Sequence, residues 1–88
     1  MNNQPICKTD KCGNKCWIIN DLFHREDGPA VEWIHGTKSW YFHGQRHRLD
    51  GPAIEYSDGD KRWYYYGKRI FCTTQEEFEK LINLKWLW

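Results

Sequence analysis

The chain has 88 residues, with thirteen basic and twelve acidic side chains and a formal net charge of +1. That length suits one domain, residues 1–88, with a modest core, and that balance excludes a basic nucleic-acid tail and an acidic disordered arm. Six tryptophans, five tyrosines and four phenylalanines are a heavy aromatic load, enough to leave rings at an interface.

The chain opens Met1-Asn2-Asn3-Gln4-Pro5, with no apolar stretch of the kind a secretory signal needs. No apolar run approaches the roughly 18 residues of a membrane span. A cytoplasmic setting without a membrane partner is therefore expected, where structural disulfides are disfavoured. Cys7, Cys12 and Cys16 follow in C-x4-C-x3-C spacing, with Cys72 far downstream. Thiolates this close together can hold zinc, with Cys72, His24 or His35 as fourth ligand and Lys8, Lys11 and Lys15 offsetting the charge. Neither gap has the two-residue spacing of a zinc knuckle. Reduced cysteines are the plainer reading, and disulfides would need an oxidising compartment. No other cofactor is indicated.

From residue 13 the chain repeats itself every 23 residues. Asp27-Gly28-Pro29-Ala30 returns as Asp50-Gly51-Pro52-Ala53, His24-Arg25 as His47-Arg48, and Trp40-Tyr41 as Trp63-Tyr64. Lys15-Cys16-Trp17 matches Lys38-Ser39-Trp40 and Lys61-Arg62-Trp63, which gives about two and a half repeats over 13–70. Such a period marks stacked supersecondary units that bury their apolar faces on one another. Ala30-Val31-Glu32-Trp33 and Ala53-Ile54-Glu55-Tyr56 alternate as strands do, Asp58-Gly59 and His35-Gly36 mark tight turns, and Trp40-Tyr41-Phe42 and Trp63-Tyr64-Tyr65-Tyr66 are strongly β-prone. Asp-Gly-Pro-Ala reads as the corner between units, its glycine taking a backbone shape other residues resist. Its aspartate accepts backbone N–H bonds or pairs with Arg25 or Arg48. The open sheet edge at 13–18 needs a cover, for which the cysteine segment 7–16 is the candidate.

Thr74 and Glu77 form a capping box, and Phe78, Leu81, Ile82 and Trp86 trace one stripe. This predicts a helix over 74–87, with its body from Gln75 to Trp86, covering an open end of the sheet. The expected fold is mainly β: an antiparallel meander of repeated β-hairpins with one C-terminal capping α-helix.

Strand alternation turns Trp40, Phe42, Trp63 and Tyr65 inward, and Tyr41, His43, Tyr64 and Tyr66 outward. Residues 38–69 carry a local excess of three positive charges. Tyr41, Tyr64 and Tyr66 thus supply contact area, and Arg46, Arg48, Arg62 and Arg69 directed charge. Trp86 and Trp88 are candidate anchors for a partner or a homodimer. His24 and His47, as repeat equivalents, suggest one shared structural bond. His35 and His43 have no equivalents, and nothing in their spacing demands an active site, so no enzyme is expected.

The pattern His-Arg-x-Asp-Gly-Pro-Ala followed by Gly-x-x-x-Trp-Tyr-x-x-Gly is carried by His24 to Ala30 with Gly36 to Gly44, and by His47 to Ala53 with Gly59 to Gly67. It resembles the divergent MORN-type repeats of small phage, bacterial and large-virus proteins, over about two thirds of the chain. That resemblance implies a ladder of β-hairpins serving as a binding scaffold, in the style of accessory phage proteins that act on a host factor. The expected function is recognition of a host protein, with inhibition or modulation as its outcome, as in host takeover or anti-defence. Two alternatives stand beside it. Basic groups interleaved with rings also suit single-stranded nucleic acid, the less favoured partner, and an open sheet edge suits structural self-assembly.

Overall fold

The computed structural model describes residues 4–84. They form ten strands and one helix: β1 (Ile6–Thr9), β2 (Lys15–Ile19), β3 (Leu22–Phe23), β4 (Val31–Glu32), β5 (Lys38–Ser39), β6 (Tyr41–Phe42), β7 (Gln45–Arg46), β8 (Ile54–Glu55), β9 (Lys61–Tyr65), β10 (Lys68–Ile70) and α1 (Gln75–Leu84). All strand pairs are antiparallel, in a slab of 40 × 36 × 16 Å. The fold is thus the expected hairpin meander with one C-terminal helix. Among the described residues no helix is long and apolar enough to cross a membrane.

Each repeat works on two tiers. The lower tier is one continuous sheet, in which β1, β2, β4, β5, β8 and β9 lie side by side. The upper tier is a row of hairpins, β2–β3, β6–β7 and β9–β10. β2 and β9 run through both tiers, whereas Trp40 separates β5 from β6. The upper hairpins close through the two-residue loops Asn20-Asp21, His43-Gly44 and Tyr66-Gly67, all at positive φ. That is the loop geometry whose twist matches paired strands.

The repeat reaches further back than its motif. β1 pairs β2 as Lys8↔Cys16 and Thr9↔Lys15, and the same register recurs as Val31↔Ser39 with Glu32↔Lys38, and as Ile54↔Arg62 with Glu55↔Lys61. β1 is a third copy of the strand that elsewhere follows Gly-Pro-Ala. It covers the edge of β2, as expected of the cysteine segment.

The corner motif holds an arginine. The Arg48 guanidinium lies 3.8 Å from the centre of the Trp40 ring. Its Nε donates to Asp50 at 2.9 Å, and its Nη1 donates to the Pro52 carbonyl at 3.2 Å and to Glu55 at 2.8 Å. Arg25 repeats every contact with Trp17, Asp27, the Pro29 carbonyl and Glu32. The aspartates therefore pair with the arginines. The glycine serves a different purpose from the one expected: a Cβ at Gly51 would lie 2.7 Å from the Arg48 guanidinium carbon, and one at Gly28 would lie 2.9 Å from that of Arg25. A side chain there would push the guanidinium from its seat, and no unusual φ is involved. In the third repeat Phe71 stands where the arginine would be, and the helix takes over. Gln75 Oε1 accepts from Trp63 Nε1 at 2.9 Å, and Phe78, Leu81 and Ile82 pack with Trp63 and Ile70. Thr74 Oγ1 accepts the Glu77 amide, and the Glu77 carboxylate reaches back to accept the amides of Thr73 and Thr74.

Side chains also bond each repeat to the next. His24 Nδ1 accepts the His43 amide and His47 Nδ1 accepts the Tyr66 amide, both at 2.9 Å, which is the shared job expected of this pair. These bonds fix two residues that sit at positive φ, His43 at 49° and Tyr66 at 44°. On the opposite side Asn14 Oδ1 accepts the Ile34 amide, and Thr37 Oγ1 accepts the Ser57 amide.

Burial lowers the pKa of His47 below its ordinary 6.5. The unfolded chain therefore takes up a proton at a higher pH than the folded one does. The His47 contribution to stability is full above about pH 6.5 and is lost as the pH falls through the depressed folded value. Denaturant melts at decreasing pH should show stability falling below that point, and His47→Gln should flatten this part of the profile. An unchanged slope in the variant would contradict the assignment.

Candidate interaction surface

Alternation along the strands gives the sheet two unlike faces. One carries Trp17, Trp40 and Trp63 under their arginines and the helix. The other carries a single column, because cross-strand pairing places Ile18 opposite Phe23, Tyr41 opposite Arg46 and Tyr64 opposite Arg69. The column is continuous. Phe23 and Tyr41 rings lie 5.2 Å apart, and the Arg46 guanidinium sits 5.3 Å from the Tyr41 ring and 5.2 Å from the Tyr64 ring. Beyond it the Arg69 guanidinium lies 4.5 Å from the ring of Phe71, which is 77% exposed.

Arg46 is the middle rung. Its Nη2 donates to the Tyr41 hydroxyl at 2.8 Å, while its Nε is buried without a hydrogen-bond partner. The guanidinium is therefore held by the Tyr41 hydroxyl and by the two rings it lies over, which suits its weak hydration. Across the face the character changes. Ile18, Tyr41 and Tyr64 are repeat equivalents, as are Phe23, Arg46 and Arg69, so the column runs from apolar to basic. At the apolar end a hollow of about 340 Å³ opens between Lys8, Cys16, Phe23, Val31 and Trp33.

The structure thus gathers four expected contact residues, Tyr41, Arg46, Tyr64 and Arg69, on one face. Arg62 stands beside them, ion-paired with Asp60 and 5.7 Å from the Tyr56 ring. Arg48 belongs to the opposite face, engaged by Trp40, Asp50 and Glu55. Tyr66 sits at a hairpin tip, 46% exposed, with its ring stacked 3.8 Å from that of His47. Trp86 and Trp88 lie outside the described residues. Ile18, Phe23 and Phe71 are members of the surface that the sequence reading passed over. The 23-residue register already held the signal for Phe23, since Phe23, Arg46 and Arg69 share one position.

The remaining chemistry-bearing residues are scattered. Cys7 faces Trp17 and Cys16 faces Lys8, so neighbouring pairs send the two sulfurs to opposite sides of the sheet. Cys12 is in the following turn, and Cys72 packs against the helix cluster, where burial and then Glu77 raise its thiol pKa. Among the described residues no three His, Cys, Asp or Glu side chains are arranged to hold a metal, so the geometry gives no support to a Cys7–Cys12–Cys16–Cys72 zinc site. His35 stacks on Trp33 in a lower-tier turn, whereas His43 stacks on His24 at an upper hairpin tip, so the two do not share a site.

No family model, curated protein or solved structure matches this chain.

Removing Arg46 should cost about 1–2 kcal/mol in denaturant melts, since it takes out two ring contacts and the cover they share. Arg46→Lys should recover little of that, because an ammonium offers no plane to stack. A lysine variant as stable as the parent would contradict the stacked-rung geometry.

Proposed function

We propose that the chain is a non-catalytic binding module whose tyrosine–arginine face recognises another protein. The observation that carries this reading is the continuous column of Phe23, Tyr41, Arg46, Tyr64 and Arg69 on the face opposite the helix cluster. Rigid rings and arginines that already hold their positions lose little freedom on binding, which is the usual make-up of interface anchors. Arg46 already occupies the space between the Tyr41 and Tyr64 rings. A nucleic-acid base would have to displace it to stack there, and this favours a protein surface over a single strand. On the resemblance to MORN-type repeats, the target is a host protein that binding blocks or modulates.

The test is recovery of partners from host lysate, with and without nuclease, by the parent and by Arg69→Glu. Arg69 is exposed at the basic end of the column, so reversing its charge alters the face without removing a core contact. A single protein should be retained after nuclease, in fixed stoichiometry and with shallow salt dependence, and should be lost with Arg69→Glu. Recovery of nucleic acid alone, abolished by nuclease, would overturn the reading and move single-strand binding to first place.

A further inference from the structure

The repeat array has to end, and its last seam has an unusual finish. At each inner seam a lysine bonds through its main chain to a glutamate on the next repeat's strand, Lys15 to Glu32 and Lys38 to Glu55. Lys61 is the next member of that series. Tyr56 and Asp60 form a hydrogen-bonded pair, and so the adjacent Glu55–Lys61 pair turns its N–H and C=O groups away from each other. The main chain of Lys61 therefore faces the edge where a further strand would lie. Two side chains fill that place. Asp60 Oδ1 accepts the Lys61 amide at 2.9 Å, and Arg62 Nη1 donates to the Lys61 carbonyl at 3.0 Å. Asp60 and Arg62 are also paired with each other.

Their repeat equivalents behave differently. Asn14 and Thr37 stand at the Asp60 position and reach across to the next repeat, while Cys16 and Ser39 stand at the Arg62 position and are too short to cap a carbonyl. We propose that Asp60 and Arg62 form an edge lock that stands in for the absent strand and keeps the array from growing head to tail onto β1 of a second copy.

The opposite end of the sheet explains why a lock is needed. β1 is a copy of β4 and β8, and its outer edge is the one to which a preceding repeat would pair. Joined in the native register, Lys61 would meet Thr9 and Arg62 would meet Lys8. The first pair lacks the glutamate of the inner seams, and the second sets like charges opposite each other. A head-to-tail contact of this kind does not close and leads to fibres, the hazard that edge charges prevent. The hydrogen bond from Arg62 also holds the Asp60 carboxyl below its ordinary pKa. The pair itself is substantially exposed and adds little stability, so its role is to occupy the edge.

The test replaces the lock with the inner-seam residues. Asp60→Thr with Arg62→Ser, and the same pair with Thr9→Glu added, are compared with the parent by sedimentation equilibrium over a range of concentrations. A thermal melt serves as the fold control. The parent mass should stay flat. The double variant should grow with concentration, and the triple variant should grow further, past roughly twice the parent mass, since the contact does not close. A folded triple variant with the parent's mass throughout would overturn the proposal, as would a parent that grows equally. If the variants do not fold, amide exchange decides the matter: Lys61 should exchange more slowly in the parent than in Asp60→Ala, and equal rates would overturn the lock.

Discussion

The fold depends on a guanidinium set over an indole, 3.8 Å from the ring centre. A slab 16 Å thick has little interior, and among the described residues the buried apolar ones are Ala30, Val31, Ala53, Ile54, Trp63, Ile70 and Phe78. The first two repeats therefore cover their tryptophans with Arg25 and Arg48 rather than with a second apolar layer. Almost every element of the corner motif serves that contact. The aspartate and the proline carbonyl fix the arginine's orientation, the glutamate seven residues on accepts from the same Nη1 as the proline carbonyl, and the glycine leaves room beneath it. A charged residue can do this because guanidinium is weakly hydrated and its Nε and Nη1 donors are placed on acceptors.

That solution shapes the two faces. The arginine-covered face and the helix cluster bury the tryptophan side of the sheet, while the other face buries Val31 and Ile54 opposite Cys16 and Arg62. There the same alternation of ring and guanidinium recurs with looser cover. Tyr41, Arg46 and Tyr64 form a rigid strip rather than a core, and the strip ends on the exposed Arg69 and Phe71. One kind of contact thus serves stability on one side and presents a binding surface on the other. The lateral bonds from His24, His47, Asn14 and Thr37 hold the repeats in step.

Much of this was legible in the sequence because the repeat encodes it twice. The hairpins, the turn glycines, the inward tryptophans and the histidine bond all follow from residues that recur at 23-residue spacing. The cysteine segment was expected as an edge cover, but not as a copy of the repeat strand, because Ile6-Cys7-Lys8-Thr9 keep the register but none of the Gly-Pro-Ala-x-Glu letters. Only pairing reveals it. Arg48 read as a surface charge because a guanidinium on a ring leaves no apolar pattern to detect. The proposed edge lock was hidden for a similar reason: Asp60 and Arg62 differ from their repeat equivalents, and a difference gains meaning only once Lys61 is seen to face a seam that no described strand fills.

A double-mutant cycle between Trp40 and Arg48, followed by denaturant unfolding, tests the central contact most directly. The cycle Trp40→Leu, Arg48→Met and both together keeps bulk at each position while removing the guanidinium–ring pair. A coupling of about 1–2 kcal/mol is predicted, as for a partly desolvated cation on an indole. Additive losses, with coupling near zero, would contradict the account and return the weight of the fold to the strand ladders alone.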